Sequence, residues 1–463
     1  MQQTLHKRFQ WSLIPVVFTL AWPTMMEQLM QTAVQYIDTA MVGALGTQAT
    51  AAVGATTTVN WLVNGSVSAL GIGFLAFVAK AYGAGDRETA SRAASQALLV
   101  TLIVGTFFTA VALSLSGVVP VWMQVDESIR PLAGRYFFIL YTPMLARAAT
   151  FIFGTLLRAV GDTKTPMWVG IIVNVVNVVL NFLMIYPTRT VTLFSLSFTL
   201  PGFGWGVIGA AVASAIAFAL GGIFITIALW CHPDISPRGQ KLLPDWHVLH
   251  PCLRVALPNM LQKFATSLGF VAFAAMINSL GEISTAAHTI ANTVESAFYI
   301  PGFGMQTAAA TLAGNALGAR DKQRMKDLAA LIILLEVGMM IISGSLLFVF
   351  APDMMRIFAS DAQVILLGSI VLRMVAVSEP FYGVSIVTEG MMLGVGNTII
   401  PFVFNITGMW GVRIVGTFIC TQLLDMTLVA AWGCMILHNM LLFCLYTIYY
   451  RKGKWNPLLR EEN

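Results

Sequence analysis

Asp38 is the most informative of the few charged side chains that lie within long apolar stretches of this sequence. It follows three glutamines, Gln28, Gln31 and Gln35, and the intervals between these four residues are three, four and three positions. This spacing places all four side chains on one face of an α-helix. An ionised carboxylate at the centre of a bilayer costs about 2.5–3.5 kcal/mol. A polar face around Asp38 therefore predicts that this helix lines an aqueous cavity.

Two further apolar stretches carry polar side chains at helical spacing. The residues are Asn60, Asn64 and Ser68 in one stretch, and Asn174, Asn177 and Asn181 in the other. Hard cations prefer carboxylate and carbonyl oxygens, so these stretches and Asp38 predict a pocket that solvates a cation. The alternative is that the amides only join helices through hydrogen bonds.

The second half of the sequence has its own charged side chains within apolar stretches. They are Lys263, Glu295, Glu379, Glu389 and Arg413. One interpretation is structural, with Lys263 paired to Glu295 or Arg413 paired to a glutamate. The other is a second titratable site that takes a proton or a cationic substrate. Glu389 lies near the end of its stretch, where its side chain can reach water. Arg147, in the first half, is expected at the membrane interface.

The composition predicts that lipid surrounds most of the elements that position these residues. The 463 residues are 57% hydrophobic and 10% charged, whereas a soluble domain is about a quarter charged. A membrane helix needs about 20 residues, so the chain accommodates twelve helices with short loops. We predict helices at roughly 11–42, 50–80, 93–118, 131–157, 165–186, 204–231, 250–279, 284–316, 328–350, 365–393, 399–421 and 427–450.

Lysine and arginine are distributed unequally between the two sets of loops. If the N-terminus is cytoplasmic, the outer segments contain only Arg130, Arg135, Arg189 and Arg356, and the basic residues of the other loops and termini are cytoplasmic. This asymmetry predicts a multi-pass protein of the cell inner membrane with both termini in the cytoplasm. The net charge of +5 reflects this bias, and we expect no nucleic-acid partner.

The sequence repeats itself at a constant offset of 235 residues. Pro23 corresponds to Pro258, and Gly46 to Gly281. The motifs at 81–86 and 160–163 likewise recur at 316–321 and 395–398. We therefore predict an all-α membrane protein of two pseudo-twofold-related six-helix bundles, suited to alternating access. The predicted divisions are an N-terminal lobe at 1–231, a cytoplasmic linker at 232–254 and a C-terminal lobe at 255–463.

The motifs of several other protein classes are missing from the sequence. It contains no GxxxxGK[ST] segment, no HExxH and no nucleophile elbow, which argues against an ATP-driven pump and against an enzyme. The five cysteines show no CxxC spacing and are expected to be free, buried thiols without zinc. Energy for transport would then come from an ion gradient, with no cofactor beyond the coupling ion.

At the level of motifs the sequence resembles the multidrug and toxic compound extrusion (MATE) family of prokaryotic transporters. The resemblance covers nearly the whole chain, and its motifs lie at 23–28, 38–43, 83–86, 157–163, 286–288, 301–304 and 314–319, together with Glu295. It implies two six-helix lobes that form a V. It also implies antiport of H⁺ or Na⁺ against organic, often cationic, compounds.

The resemblance also implies a cation site in the first lobe. By motif, its aspartate is Asp38, its two polar residues on helix 5 are Asn177 and Asn181, and its hydroxyl on helix 6 is Ser214. Many similar proteins have an aspartate where Asn181 stands, and a single carboxylate would bind Na⁺ more weakly. The second-lobe carboxylates of some relatives fall here on Thr266 and Tyr382, so Glu295 and Glu379 are the acids available.

Together these patterns predict a secondary active exporter in which Asp38 binds H⁺ or Na⁺. We expect the substrate cavity to be lined by Glu27, Gln31, Gln35, Asn60 and Asn64. The expected partners are small organic substrates and the lipid bilayer, and the protein is expected to be a monomer. The alternative function is a lipid-linked oligosaccharide flippase of the same superfamily, which would need a strongly cationic cavity.

Overall fold

The computed structural model describes residues 11–123, 125–193 and 196–460, and its helices follow the apolar stretches of the sequence. The helices of the first half are α1 (Ile14–Gly43), α2 (Thr47–Gly83), α3 (Arg87–Leu115), α4 (Val119–Trp122), α5 (Arg130–Tyr141), α6 (Met144–Ala159), α7 (Lys164–Met184) and α8 (Gly206–Cys231). Those of the second half are α9 (Trp246–Asn278), α10 (Glu282–Gly318), α11 (Lys322–Phe358), α12 (Ala362–Gly394), α13 (Ile399–Leu423), α14 (Leu428–Arg451) and α15 (Pro457–Arg460).

Thirteen of these helices form the twelve membrane spans. By length and apolar composition, nine of the described helices qualify as spans, and α5 with α6 forms a tenth that is bent by 47°. The other two spans are α1 and α10, which carry polar faces. The prediction of twelve helices in two bundles is confirmed. Helix α13 contains two π-helical segments, Thr407–Ile414 and Ile419–Leu423.

The twelve spans define two faces of the molecule. The near face is the one at which α1 begins and α14 ends, and the far face is the opposite one. At the far face, β1 (Pro187–Leu193) and β2 (Leu196–Phe203) form an antiparallel hairpin between α7 and α8. The sequence analysis placed only a loop there, because the hairpin is short compared with the apolar helices that flank it.

The backbone reproduces the 235-residue repeat. Gly46 and Gly281 precede α2 and α10 with φ angles of 106° and 99°, and Gly161 and Gly396 have φ angles of 88° and 79°. Residues other than glycine rarely adopt these φ angles, because their Cβ atom would clash with the backbone. The repeated glycines therefore form equivalent turns in the two halves.

The repeat extends to the helix caps at the near face. The carboxylate of Asp86 accepts a hydrogen bond from Thr89 N at 2.9 Å, and that of Asp321 accepts one from Arg324 N at 2.9 Å. Each aspartate satisfies a backbone donor that the first turn of a helix leaves without a partner. The two motifs are therefore the N-caps of α3 and α11.

The segment between α8 and α9 packs against α3. Ser95 Oγ donates to Lys241 O at 2.8 Å, and Gln96 Nε2 donates to Leu243 O at 2.9 Å. Asp245 accepts a hydrogen bond from His247 N at 2.9 Å and caps α9. Residues 246–254 are therefore helical, and the connection is shorter than the linker that the sequence predicted at 232–254.

The two halves pack tightly at the near face. Thr24 Oγ1 of α1 donates to Gly304 O of α10 at 2.8 Å. A Cβ added at Gly83 would overlap the carbonyl oxygen of Asn315, and one added at Gly318 would overlap that of Lys80. The backbones of α2 and α10 are therefore in direct contact, which only glycine permits. At this contact, α2 and α10 leave no gap between the two halves.

Candidate functional site

The four residues of the predicted cation site lie together in the first half. Asn181 Nδ2 donates to Asp38 Oδ1 at 2.6 Å, which joins α7 to α1. Asn177 is one helical turn from Asn181, and both asparagines are buried. Asn177 Nδ2 lies 3.1 Å from Ser214 Oγ on α8. Asp38 thus contacts α7 directly, and Asn177 links α7 to Ser214 of α8.

The amide of Asn177 has more partners when its oxygen and nitrogen are exchanged. In that orientation its nitrogen donates to Asp38 Oδ1 and Oδ2 at 3.0 and 3.2 Å, and its oxygen accepts from Ser214 Oγ at 3.1 Å. Asp38 then receives hydrogen bonds from two amides. The carboxylate is then joined to both asparagines of α7.

The residues of the site also fit a bound cation. Asn181 Oδ1 is buried and has no hydrogen-bond partner. Hard cations take carboxylate, carbonyl and hydroxyl oxygens as ligands, and Asp38, Asn177, Asn181 and Ser214 supply them. Among the described residues, no three His, Cys, Asp or Glu side chains converge to hold a metal ion. Of the four residues of the site, Asp38 alone carries a carboxylate, which suits a single positive charge.

The residues predicted to line the substrate cavity divide into two groups. Gln31 and Gln35 of α1 are exposed, and they lie on the polar face that also carries Asp38. On α2, Asn60 Oδ1 accepts from the Tyr141 hydroxyl at 3.5 Å, and Asn64 Oδ1 is buried without a partner. The glutamines are therefore accessible, whereas Asn60 is engaged by α5.

Glu27 does not line the cavity as an unpaired acid, and this prediction requires correction. Its two carboxylate oxygens lie 2.6 and 2.7 Å from Arg158 Nη2 on α6. The side chains of Glu27 and Arg158 are only 12% and 15% exposed. The two residues are 131 positions apart, so helical spacing within α1 gave no sign of the pair.

This ion pair leads to a prediction on stability. Replacing Arg158 with glutamine should lower the free energy of unfolding by about 3–5 kcal/mol, because it leaves a buried carboxylate uncompensated. Thermal unfolding in detergent measures the change. The pair Asp353–Arg356, with side chains 61% and 64% exposed, is the control, and Arg356→Gln should cost less than about 1 kcal/mol. If Glu27→Gln and Arg158→Gln were additive in the double variant, the pair would not be coupled.

The second half buries three carboxylates in neighbouring helices. Glu295 of α10, Glu336 of α11 and Glu379 of α12 are 5%, 0% and 1% exposed. Both oxygens of Glu336 lack a hydrogen-bond partner, as does Oε2 of Glu379. A Cβ added at Gly302 or Gly383 would lie 2.7 or 3.1 Å from Glu336 Oε1, so these glycines make room for the carboxylate. The sequence analysis missed Glu336, although a lone acid in an apolar stretch was a usable signal.

The two basic residues of the second half do not form the predicted ion pairs. Within the described chain, neither Lys263 nor Arg413 has a nitrogen within 4.0 Å of the Glu295 or Glu379 carboxylate. Arg413 Cζ instead lies 4.1 Å from the ring centre of Phe273, in a cation–π contact. Lys263 packs against Gly65 of α2, so it lies between the two halves. Among the described residues, neither basic side chain therefore makes a direct salt bridge with these two carboxylates.

Two further charged residues depart from the sequence prediction. Glu389 does not simply extend to water, because its Oε1 accepts from Gln262 Nε2 at 2.7 Å. Arg147 was expected at the interface, but it is buried, and its Nε and Nη1 have no partner. Its guanidinium lies 4.5 Å from the ring centre of Phe218. Each residue is held by a neighbouring helix, which helical spacing alone does not reveal.

Comparison with known proteins supports the repeat and extends the resemblance. The MatE family model matches the chain twice, at residues 23–183 and 258–419. A probable multidrug resistance protein, NorM of Thermotoga maritima, is 26% identical over 436 residues, which are 94% of this chain and 92% of that protein. Another, YoeA of Bacillus subtilis, is 24% identical over 95% of this chain and 94% of its own length.

The fold has counterparts among solved structures. A crystal structure of MATE in complex with MaD3S superposes with a TM-score of 0.85, at 22% sequence identity and with 96% of both chains covered. A likeness at this level of identity establishes the fold, and the twelve helices in two bundles are common to both structures.

Proposed function

Because this chain belongs to the MatE family of membrane transporters, and is a transporter rather than an enzyme, we propose that it is a secondary active exporter of organic compounds. The exported compounds would be varied and often cationic, and the exchanged ion would be H⁺ or Na⁺. The single observation that carries this proposal is the convergence of Asp38, Asn177, Asn181 and Ser214 within the first half. The names of its relatives as multidrug resistance proteins support the substrate class.

The proposed coupling ion acts through the charge of Asp38. In the ionised state, Asp38 accepts hydrogen bonds from α7 and gives the polar face of α1 a negative charge that attracts a cationic substrate. A proton or a sodium ion neutralises this charge. The substrate then loses its electrostatic partner, so ion binding and substrate binding oppose each other, as antiport requires.

The packing of the two halves supports alternating access. The interface is closed at the near face, where α2 and α10 are in backbone contact. Toward the far face, Gln31 and Gln35 are exposed, and Tyr36 of α1 contacts Thr293 and Ser296 of α10 through its hydroxyl. The charge distribution of the loops supports a cytoplasmic near face. With this orientation, the contact of α2 with α10 closes the interface on the cytoplasmic side of the inner membrane.

The proposal is tested by efflux of ethidium from proteoliposomes that contain the purified protein. A proton gradient and a sodium gradient are imposed in separate experiments, with protein-free liposomes as the control. Efflux that one gradient drives and that stops when the gradient is collapsed would establish antiport and identify the ion. If neither gradient drove efflux of ethidium or of other organic cations, the proposal would be overturned, and lipid-linked oligosaccharide flipping would be assayed next.

A further inference from the structure

Two of the five cysteines come together near the far ends of the last two spans. Cys420 Sγ of α13 lies 3.8 Å from Cys434 Sγ of α14. Cys420 is three residues before the end of α13 at Leu423, and Cys434 is six residues after the start of α14 at Leu428. From the sequence, free and buried thiols without a disulfide were expected, because the cysteines show no CxxC spacing. The hairpin of α13 and α14 creates the pair.

We propose that Cys420 and Cys434 are a modification site at which a reversible disulfide forms. A disulfide has a sulfur–sulfur distance of about 2.05 Å, so the two atoms have to approach by less than about 2 Å, within the range of side-chain rotation. Both side chains are partly exposed, so neither sulfur is enclosed by the surrounding helices. A Cβ added at Gly416 would lie 3.1 Å from Cys434 Sγ, so the missing side chain leaves room there for the sulfur to move.

The position of the pair matches the compartment in which disulfides persist. Three cysteines lie toward the near face, in α8, α9 and α14, namely Cys231, Cys252 and Cys444. The other two, Cys420 and Cys434, lie toward the far face. The loop charges place the far face outside the cytoplasm, where the environment is oxidising. The inference rests on this proposed orientation.

The oxidant that the reaction requires is a disulfide-carrying oxidoreductase. The thiolate of one cysteine attacks a sulfur of the carrier disulfide, which forms a mixed disulfide and releases one carrier thiolate. The other cysteine then attacks the mixed disulfide and releases the second carrier thiol. The protons of the two cysteines end on the two carrier thiols, and the carrier takes up both electrons. The product is a covalent bond between the far ends of α13 and α14.

Thiol counting in intact cells tests this site without any transport measurement. Cells are quenched in acid, and the protein is alkylated with a polyethylene-glycol maleimide before or after reduction, so that each free thiol adds a gel shift. The protein has five cysteines. Without reductant, we expect two fewer adducts than this number, and after reduction we expect an adduct at all five. Mass spectrometry of unreduced peptides should show Cys420 linked to Cys434.

Serine variants distinguish the pair from unrelated oxidation. Cys420→Ser and Cys434→Ser should each free the remaining thiol, so that reduction adds no further shift. Cys444→Ser, at an exposed cysteine of the same helix, is the matched control and should retain the two-adduct difference. Full reactivity of all five thiols in unreduced cells would overturn the proposal, and so would a disulfide that survives in Cys420→Ser. Because no outcome depends on efflux, failure here is distinguishable from failure of the proposed transport function.

Discussion

Replacing Asp38 with asparagine is expected to abolish gradient-driven efflux while leaving the protein folded in the membrane. The new side chain has the same shape, and its oxygen still accepts the hydrogen bond that Asn181 now donates to Asp38 at 2.6 Å. It carries no charge in any state, so it can neither exchange a proton nor balance a sodium ion. Efflux from proteoliposomes should fall by at least about tenfold, whereas the thermal unfolding temperature should not fall.

The matched control for this variant is the same substitution at Asp425. This residue is exposed in the turn between α13 and α14, and it has a φ angle of 49°. Asparagine tolerates this left-handed conformation as aspartate does, so Asp425→Asn should retain both fold and efflux. If Asp38→Asn kept full gradient-driven efflux, the coupling ion would have to bind elsewhere, with the buried carboxylates of the second half as the next candidates.

Replacing Gly318 with alanine is the second change with a large expected effect. The added Cβ would overlap the carbonyl oxygen of Lys80 and would lie 2.8 Å from Ala84 N, so α2 and α10 would have to separate at the near face. Overpacking of this kind costs about 1–3 kcal/mol, which corresponds to a shift of about 5–150-fold in a conformational equilibrium. We therefore expect the closed near face to be disfavoured and efflux to fall.

A native cysteine reports on this opening. Cys252 of α9 is 2% exposed and lies at the contact with Gly73 of α2, toward the near face. In a background with serine at the other four cysteines, Gly318→Ala should raise the rate at which a maleimide modifies Cys252. Gly338→Ala is the control, because an added Cβ there meets no atom within 4 Å. An unchanged labelling rate in Gly318→Ala would show that the contact does not hold the near face closed.

The functional site was partly visible in the sequence because its residues follow helical spacing. Gln31, Gln35 and Asp38 share one face of α1, and Asn177 and Asn181 are one turn apart on α7. The assignment of Ser214 came from family resemblance, and its hydrogen-bond contact with Asn177 depends on how α7 packs against α8. Helical spacing relates residues within one helix, whereas it carries no information on which helices are neighbours.

For the same reason the sequence did not identify the direct contacts of the charged residues. Glu27 pairs with Arg158, and Arg413 stacks on Phe273. Each of these contacts joins residues more than a hundred positions apart in the sequence. A charge within an apolar stretch requires some compensation, but its residue type does not specify which group provides it.

The sequence by itself determined the lipid environment, the twelve spans and the two repeated halves, because apolar length and the glycine and aspartate positions of the turns are local properties. The repeated φ angles at Gly46 and Gly281 show how directly such local signals define the backbone. Only the tertiary structure decided which polar groups meet, as in the contact of Asn181 with Asp38, the contact of Asn177 with Ser214 and the approach of Cys420 to Cys434. The physical reason is that these contacts depend on the packing of helices distant in the chain, which no local pattern records.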